Sequence, residues 1–305
     1  MINPESFSTA PHFEKRIVKA YSPSHITGFF MICDNRNPLY KGSVGGGIVL
    51  DAGCLSEVSL NAPLEARTEL RINGVETEEA DTTKYVVDSM IGKCEQEVNV
   101  TVSANFEVPV GCGFGASGAG ALSTACALNK LLSLNMTFSE VAQIAHLAEV
   151  ENGTGLGDVI AEAYGGVVIR RKPGPPGIGV IEKIPSPDAE EKISSVTFGT
   201  KSTKAVLADD SLKRRINEAG KAALKELMKK LNLDNFMRVS RDFSLRSGVI
   251  SDKCRDAIEA VDAEGKVASV AMLGETVFVV GDSEALNEFG EVKESRISDV
   301  GARII

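Results

Sequence analysis

The chain has 305 residues, 43% hydrophobic and 25% charged, enough apolar mass for a large core and more readily divided into two domains than one. Its formal net charge of -9 disfavours nucleic acid and anionic membrane as partners. Six cysteines without CxxC spacing and three histidines argue against a structural zinc site and fit a reducing cytoplasm.

The N-terminal MINPESFSTAPHFEKR has no apolar h-region, so it reads as a loose tail with no signal peptide. Strand patterns follow at KRIVKAY, GGIVLDAG, LSEVSL and TELRI, with KGSVGGG (41–47) read as a flexible polar loop before the second. Asn73-Gly74 marks a tight hairpin turn, 82–94 a helix, and 97–103 a half-buried strand that alternates Val98, Val100 and Val102 with polar neighbours. The uncharged run from Val108 to Asn129 holds too many glycines and hydroxyls for a membrane span, so no membrane helix is expected. Helices are expected near 116–133 and 138–151 and from Asp158, then a strand at GGVVIRR and a turn at KPGPPG.

A domain boundary is expected near 185–195, in the polar PSPDAEEK, giving domains 1–190 and 191–305. Beyond it come the strand VTFG and a helix over 209–231. On that helix Leu212, Ile216, Ala219, Ala223, Leu227 and Leu231 share one face. Helices near 234–247 and 251–262, strands at VASVAML, TVFVVG and VKESRI, and a short helix from Ser283 complete the pattern. Strands and helices do not alternate regularly, which predicts an α+β fold in two lobes rather than a doubly wound sheet.

The segment VPVGCGFGASGAGALSTA (108–125) joins a strand to a helix. Small residues there let backbone N–H groups approach an anion, and the helix start adds unpaired donors. Gly113, Gly115 and Gly118 spell GxGxxG, but the chain runs on into another helix where a dinucleotide fold needs a strand ending in an acid. A Walker loop, GxxxxGK[ST], is absent. Close packing of a helix start is the bland alternative.

The segment resembles the phosphate loop of the GHMP kinases (the galactokinase, homoserine kinase and mevalonate kinase group), P-x-x-x-G-x-G-x-S-[SAG]-A, matched by Pro109, Gly113, Gly115, Ser117 and Ala119. Ala116 stands where many members have serine, and Gly118 where many have alanine. AYSPSHITGFF (20–30) resembles the first motif of that superfamily, with Ser24-His25 where members commonly carry a lysine. VASVAMLGETVFVVG (267–281) resembles the last motif, a glycine turn lying against the phosphate loop, with Gly274 its tight point. SPSHITGFF, KGSVGGG, GTGLGDV and RRKPGPPGIG together resemble the archaeal pantoate kinase group more narrowly.

The resemblance implies a two-lobed GHMP fold, with an N-terminal lobe like ribosomal protein S5 domain 2 and a ferredoxin-like C-terminal lobe. It implies ATP-dependent phosphorylation of (R)-pantoate to 4-phosphopantoate, a step towards coenzyme A, in the cytoplasm. The alternatives are another small alcohol, such as mevalonate or homoserine, or a non-catalytic metabolite binder. Gly111, Gly113, Gly115, Ala116, Ser117 and Gly118 would hold the ATP phosphates, and Ser117 with Glu149 would hold Mg²⁺. Glu151 is a nearby alternative on another helical face. Asp158 would be the catalytic base, its bland reading being a helix N-cap. Ser43, His25 and Arg170 would contact a small hydroxy-acid substrate. His25 is equally open to the reading of a hydrogen-bonded histidine near a turn. Strand alternation alone leaves Arg170 and Arg171 equal. A homodimer is the assembly to consider.

Overall fold

The computed structural model describes residues 16–61, 67–95, 97–185 and 191–305. The expected tail, and most of the expected boundary at PSPDAEEK, lie outside those residues.

Two long antiparallel strands, β1 (Ile17–Cys33) and β2 (Gly42–Leu60), form the spine of the first sheet. On one side of β2 run β3 (Glu69–Ile72), β4 (Val75–Glu76) and β5 (Val100–Phe106). Asn73 (φ 48°) and Gly74 (φ 80°) make the predicted tight turn between β3 and β4, a turn needing two left-handed residues. At the glycine-rich end of β2, β6 (Val167–Lys172) pairs with it and then with β7 (Val180–Ile184), a strand that sequence pattern did not indicate. The C-terminal β12 (Arg303–Ile304) closes the other edge on β1.

The expectation of a loop over 41–47 is corrected: Gly42 to Gly47 lie within β2, paired with β1 on one side and, at Gly45 to Gly47, with β6 on the other. Glycine usually weakens a strand, but marks places where another group approaches closely. A Cβ on Gly47 would lie 2.0 Å from His25 Nε2, so the missing side chain makes room for that imidazole.

Four helices cover this sheet: α1 (Asp81–Ile91), α2 (Ala116–Leu131), α3 (Phe138–Asn152) and α4 (Asp158–Tyr164). Nearly all of α2 is buried, because its small residues let it pass between β1, β2, α1 and α3. Thr137 and Glu140 form a capping box that fixes the start of α3.

The second half supplies α5 (Thr203–Ala208), α6 (Asp210–Leu227), α7 (Leu233–Ser247) and α8 (Asp252–Ala263). Its sheet runs β11-β8-β10-β9, from β8 (Lys192–Gly199), β9 (Ala268–Ala271), β10 (Glu275–Val280) and β11 (Lys293–Arg296). The predicted helix over 209–231 is shorter than expected: Asp209 caps its start, and Leu231 lies exposed beyond its end. Ile216, Ala219, Ala223 and Leu227 are buried as the spacing predicts.

The fold is therefore α+β in two lobes. One apolar core joins them, with Ile26, Phe29 and Ile48 of the first sheet packing in the same cluster as Phe236, Phe243 and Phe278. Phe29 packs tilted against Phe236 and edge-on against Phe243, with ring centroids 6.2 and 6.5 Å apart, pairs that each contribute about 0.5–1.5 kcal/mol beyond their area. The cleft lies where the start of α2 meets the β9–β10 turn.

Candidate active site

The phosphate-loop segment turns on alternate left-handed glycines, Gly111 (φ 78°), Gly113 (φ 96°) and Gly115 (φ 62°), the last being the N-cap of α2. Such alternation points successive backbone N–H groups to one side, making a concave anion site continued by the helix start. The loop is held from both sides. His25 N–H donates to the Phe114 carbonyl at 3.0 Å. From the second lobe, Thr276 Oγ1 donates to the Cys112 carbonyl at 2.8 Å. A Cβ on Gly274 would lie 2.0 Å from that same carbonyl oxygen, so the last glycine turn does lie against the loop. The left-handed residue of the turn is its neighbour Leu273.

The cleft, about 390 Å³, is lined by Gly111, Gly113, Gly115, Ala116 and Ser117, by 152–158, and by Thr27, Ser43 and Arg170. Of the predicted phosphate-binding residues, Gly118 does not line it. It faces inward, where a Cβ would lie 2.8 Å from Glu162 Oε2 and 3.0 Å from Glu149 Oε2.

Glu149, near the end of α3, is buried and accepts a hydrogen bond from Ser117 Oγ at 2.7 Å. Burial, with Asp158 nearby, pushes its carboxyl up to about 8, opposed by the Ser117 and Thr154 hydroxyls. Glu151 is exposed, on another face.

Asp158 is the first residue of α4, but Gly157 is the cap and no side chain caps this helix, which corrects the capping reading. The Asp158 carboxylate turns instead to His25 Nδ1, at 2.8 Å, and remains 20% exposed. Burial pushes this carboxyl up, but the His25 hydrogen bond and the Arg170 charge outweigh it and hold it below the usual range.

His25 itself is 0% exposed and does not line the cleft. The expectation of a substrate contact is corrected: the imidazole lies behind Asp158 and Arg170, enclosed by β1 and β2. Its pKa falls through burial and the Arg170 charge, against the pull of Asp158.

Arg170 and Arg171 point to opposite faces of β6. Arg170 is 1% exposed and lines the cleft, while Arg171 is solvated and pairs with Glu182 at 3.7 Å. Arg170 Nη1 donates to His25 Nε2 at 3.3 Å and Nη2 to Thr27 Oγ1 at 3.4 Å; its Nε has no partner among the described residues. A Cβ on Gly157 would lie 2.4 Å from Ser43 Oγ and 2.7 Å from Arg170 Nε, so this glycine lets the two groups converge.

The GHMP kinases N terminal domain matches residues 82–166, the stretch carrying the phosphate loop, Glu149 and Asp158. The pantoate kinase of Methanocaldococcus jannaschii is 38% identical over 269 residues, 88% of this chain and 94% of that protein. The chain belongs to the pantoate kinase family of GHMP kinases. A second pantoate kinase, from Thermococcus kodakarensis, is 37% identical over 88% of this chain and 89% of its own length. A solved structure described as a phosphotransferase related to the CoA biosynthesis pathway superposes with a TM-score of 0.85, at 30% identity, covering 95% of this chain and 99% of that one.

Against this pantoate kinase framework, two features escape sequence reasoning. Glu162, one turn after Asp158 on α4, is a fully buried third carboxyl with neither oxygen hydrogen-bonded among the described residues. Burial, then Asp158 and Glu149, raise its pKa well above the ordinary value. Its i, i+4 spacing from Asp158 was the available signal. Lys201 and Lys204, from the second lobe, also line the cleft, and the Lys201 peptide N–H donates to the Gly111 carbonyl of the phosphate loop at 3.1 Å. No helix among the described residues is long and apolar enough to cross a membrane.

Proposed function

We propose that this cleft transfers the γ-phosphoryl group of ATP to the primary hydroxyl of (R)-pantoate, giving 4-phosphopantoate and ADP. The observation that carries the reading is the 38% identity to a pantoate kinase across nearly its whole length. The six cysteines are free thiols, which fits a cytoplasmic enzyme.

Positioning and charge do most of the chemistry in phosphoryl transfer. The backbone N–H groups of the 111–117 loop and the start of α2 hold the polyphosphate. Arg170 and Ser43 grip the substrate carboxylate, the fork of the guanidinium matching two oxygens at once. Gripped there, the substrate hydroxyl faces Asp158, which accepts its proton as the oxygen attacks phosphorus and the bond to the β-phosphate oxygen breaks. A base held below the usual carboxylate range is ionised at neutral pH and ready for this task.

The residues present suit Mg²⁺. Ser117 and Glu149 are hard oxygen donors brought together, and Glu149 ionises reluctantly because it is buried with Asp158 nearby, a charge that a cation would offset. Held by Ser117 and Glu149, Mg²⁺ would supply charge neutralisation for the transferred phosphoryl group.

Purified protein given labelled ATP with pantoate, mevalonate, homoserine or pantothenate tests the reading. Labelled 4-phosphopantoate from pantoate alone is the expected result. Faster phosphorylation of another alcohol, or of none, would refute it.

A further inference from the structure

His25 has two neighbours that only one protonation state satisfies. A guanidinium has donors and no acceptor, so the ring nitrogen facing Arg170 Nη1, Nε2, must accept. The remaining proton of the neutral ring then sits on Nδ1 and is donated to Asp158 Oδ1, 2.8 Å away. A doubly protonated ring would set a second cation against Arg170 inside the core.

The backbone is arranged to hold the ring there. Bulges between Pro23 and Ser24 and between Thr27 and Phe29 bracket His25 on β1, and bulges re-aim side chains locally. Gly47 opposite leaves the space that Nε2 fills. The peptide N–H of His25 is tied to the phosphate loop at Phe114. The other titratable group around the ring is Asp158 on α4; Thr27 Oγ1 lies 3.5 Å from Nδ1.

We infer that His25 is a positioning residue, a neutral bridge that fixes the Asp158 carboxylate through Nδ1–H and is itself oriented by Arg170 through Nε2. Oδ1 of Asp158 is then committed to His25, and Oδ2 is the oxygen that takes the substrate proton. The arrangement also makes one rigid unit of the group that grips the substrate acid and the group that deprotonates its alcohol. This rests on the proposed roles of Asp158 and Arg170.

Two substitutions separate the two ends of the ring. In His25→Asn the amide stands where Nδ1 was, keeping a donor for Asp158 and losing the acceptor for Arg170. In His25→Gln the amide reaches the Nε2 position, keeping the acceptor and losing the donor. The expected pattern is crossed. Turnover of His25→Gln falls below that of His25→Asn by roughly tenfold or more, and KM for pantoate rises more in His25→Asn by a similar factor, the scale of one hydrogen bond to a charged group. Equal losses of kcat with unchanged KM would reduce His25 to a packing residue. Wild-type protein provides a second measurement independent of how the variants fold. With ¹⁵N-labelled histidine, one of only three in the chain, the His25 ring should show a protonated Nδ1 and a bare Nε2. An Nε2–H tautomer or an imidazolium overturns the inference. Wild-type inactivity on pantoate would sink the proposed substrate, not the tautomer; an active wild type without the crossed pattern sinks the bridge alone.

Discussion

Replacing Arg170 by lysine keeps the buried positive charge and removes the planar fork. The guanidinium offers five N–H donors, and in the structure Nη1 and Nη2 face His25 and Thr27 while Nε stands buried and unpaired beside Ser43 and Gly157. A carboxylate seated against that edge would lose at least one charge-assisted hydrogen bond in the lysine variant. The usual worth of such a bond, about 1.5–3 kcal/mol, corresponds to roughly ten- to a hundredfold in affinity. KM for pantoate should therefore rise by that factor, while KM for ATP, bound across the glycine loop, stays nearly unchanged. Arg170→Ala is the harsher variant. It removes a buried charge near the ionised Asp158 and the donors facing His25 and Thr27, so thermal denaturation must accompany its kinetics. Arg171→Ala is the control, because its exposed pair with Glu182 is worth about 1 kcal/mol at most. A coupled assay for ADP release, run with each substrate varied in turn, reads all three variants. The reasoning fails if Arg171→Ala raises KM for pantoate more than Arg170→Lys, or if neither changes it.

Asp158→Asn can still accept from His25 Nδ1–H, so the melting temperature should hold while kcat drops about 10²-fold or more; a folded variant with wild-type turnover would leave Asp158 without a chemical role. Glu149→Gln keeps an acceptor for Ser117 and removes a carboxyl whose pKa is pushed up to about 8, so activity should fall and the Mg²⁺ requirement rise with no loss of stability at pH 8; wild-type turnover at low Mg²⁺ would exclude Glu149 as a ligand. Glu162 holds its proton more tightly folded than unfolded, so its contribution to stability is lost as pH rises above the ordinary 4.5. Glu162→Gln should therefore raise the melting temperature relative to wild type more at pH 9 than at pH 5; an equal difference at both would show that Glu162 ionises normally.

Much of the molecule is legible one segment at a time. The helices from Asp81 to Tyr164 lie close to where apolar periodicity and caps put them, and the glycine spacing of 111–115 already implies a backbone built for an anion. Glu149 and Asp158 stand out because the turn GTGLGD separates them by a short, small-residue link that brings both back to one place.

What only the tertiary structure decided is which surfaces meet. The glycines of 42–47 carry a local signal for a loop, and become a strand because β1 and β6 hydrogen-bond to both edges and His25 fills the space above Gly47. Arg170 and Arg171 are equivalent by alternation, and the packing of β6 against β2 turns one into the cleft and the other to water. Glu162 looks like any polar residue on a short helix until α2, β1 and β2 pack against α4 and bury it. Periodicity fixes which side chains share a face, whereas burial, and with it every shifted pKa in this site, depends on long-range contacts that no local window contains.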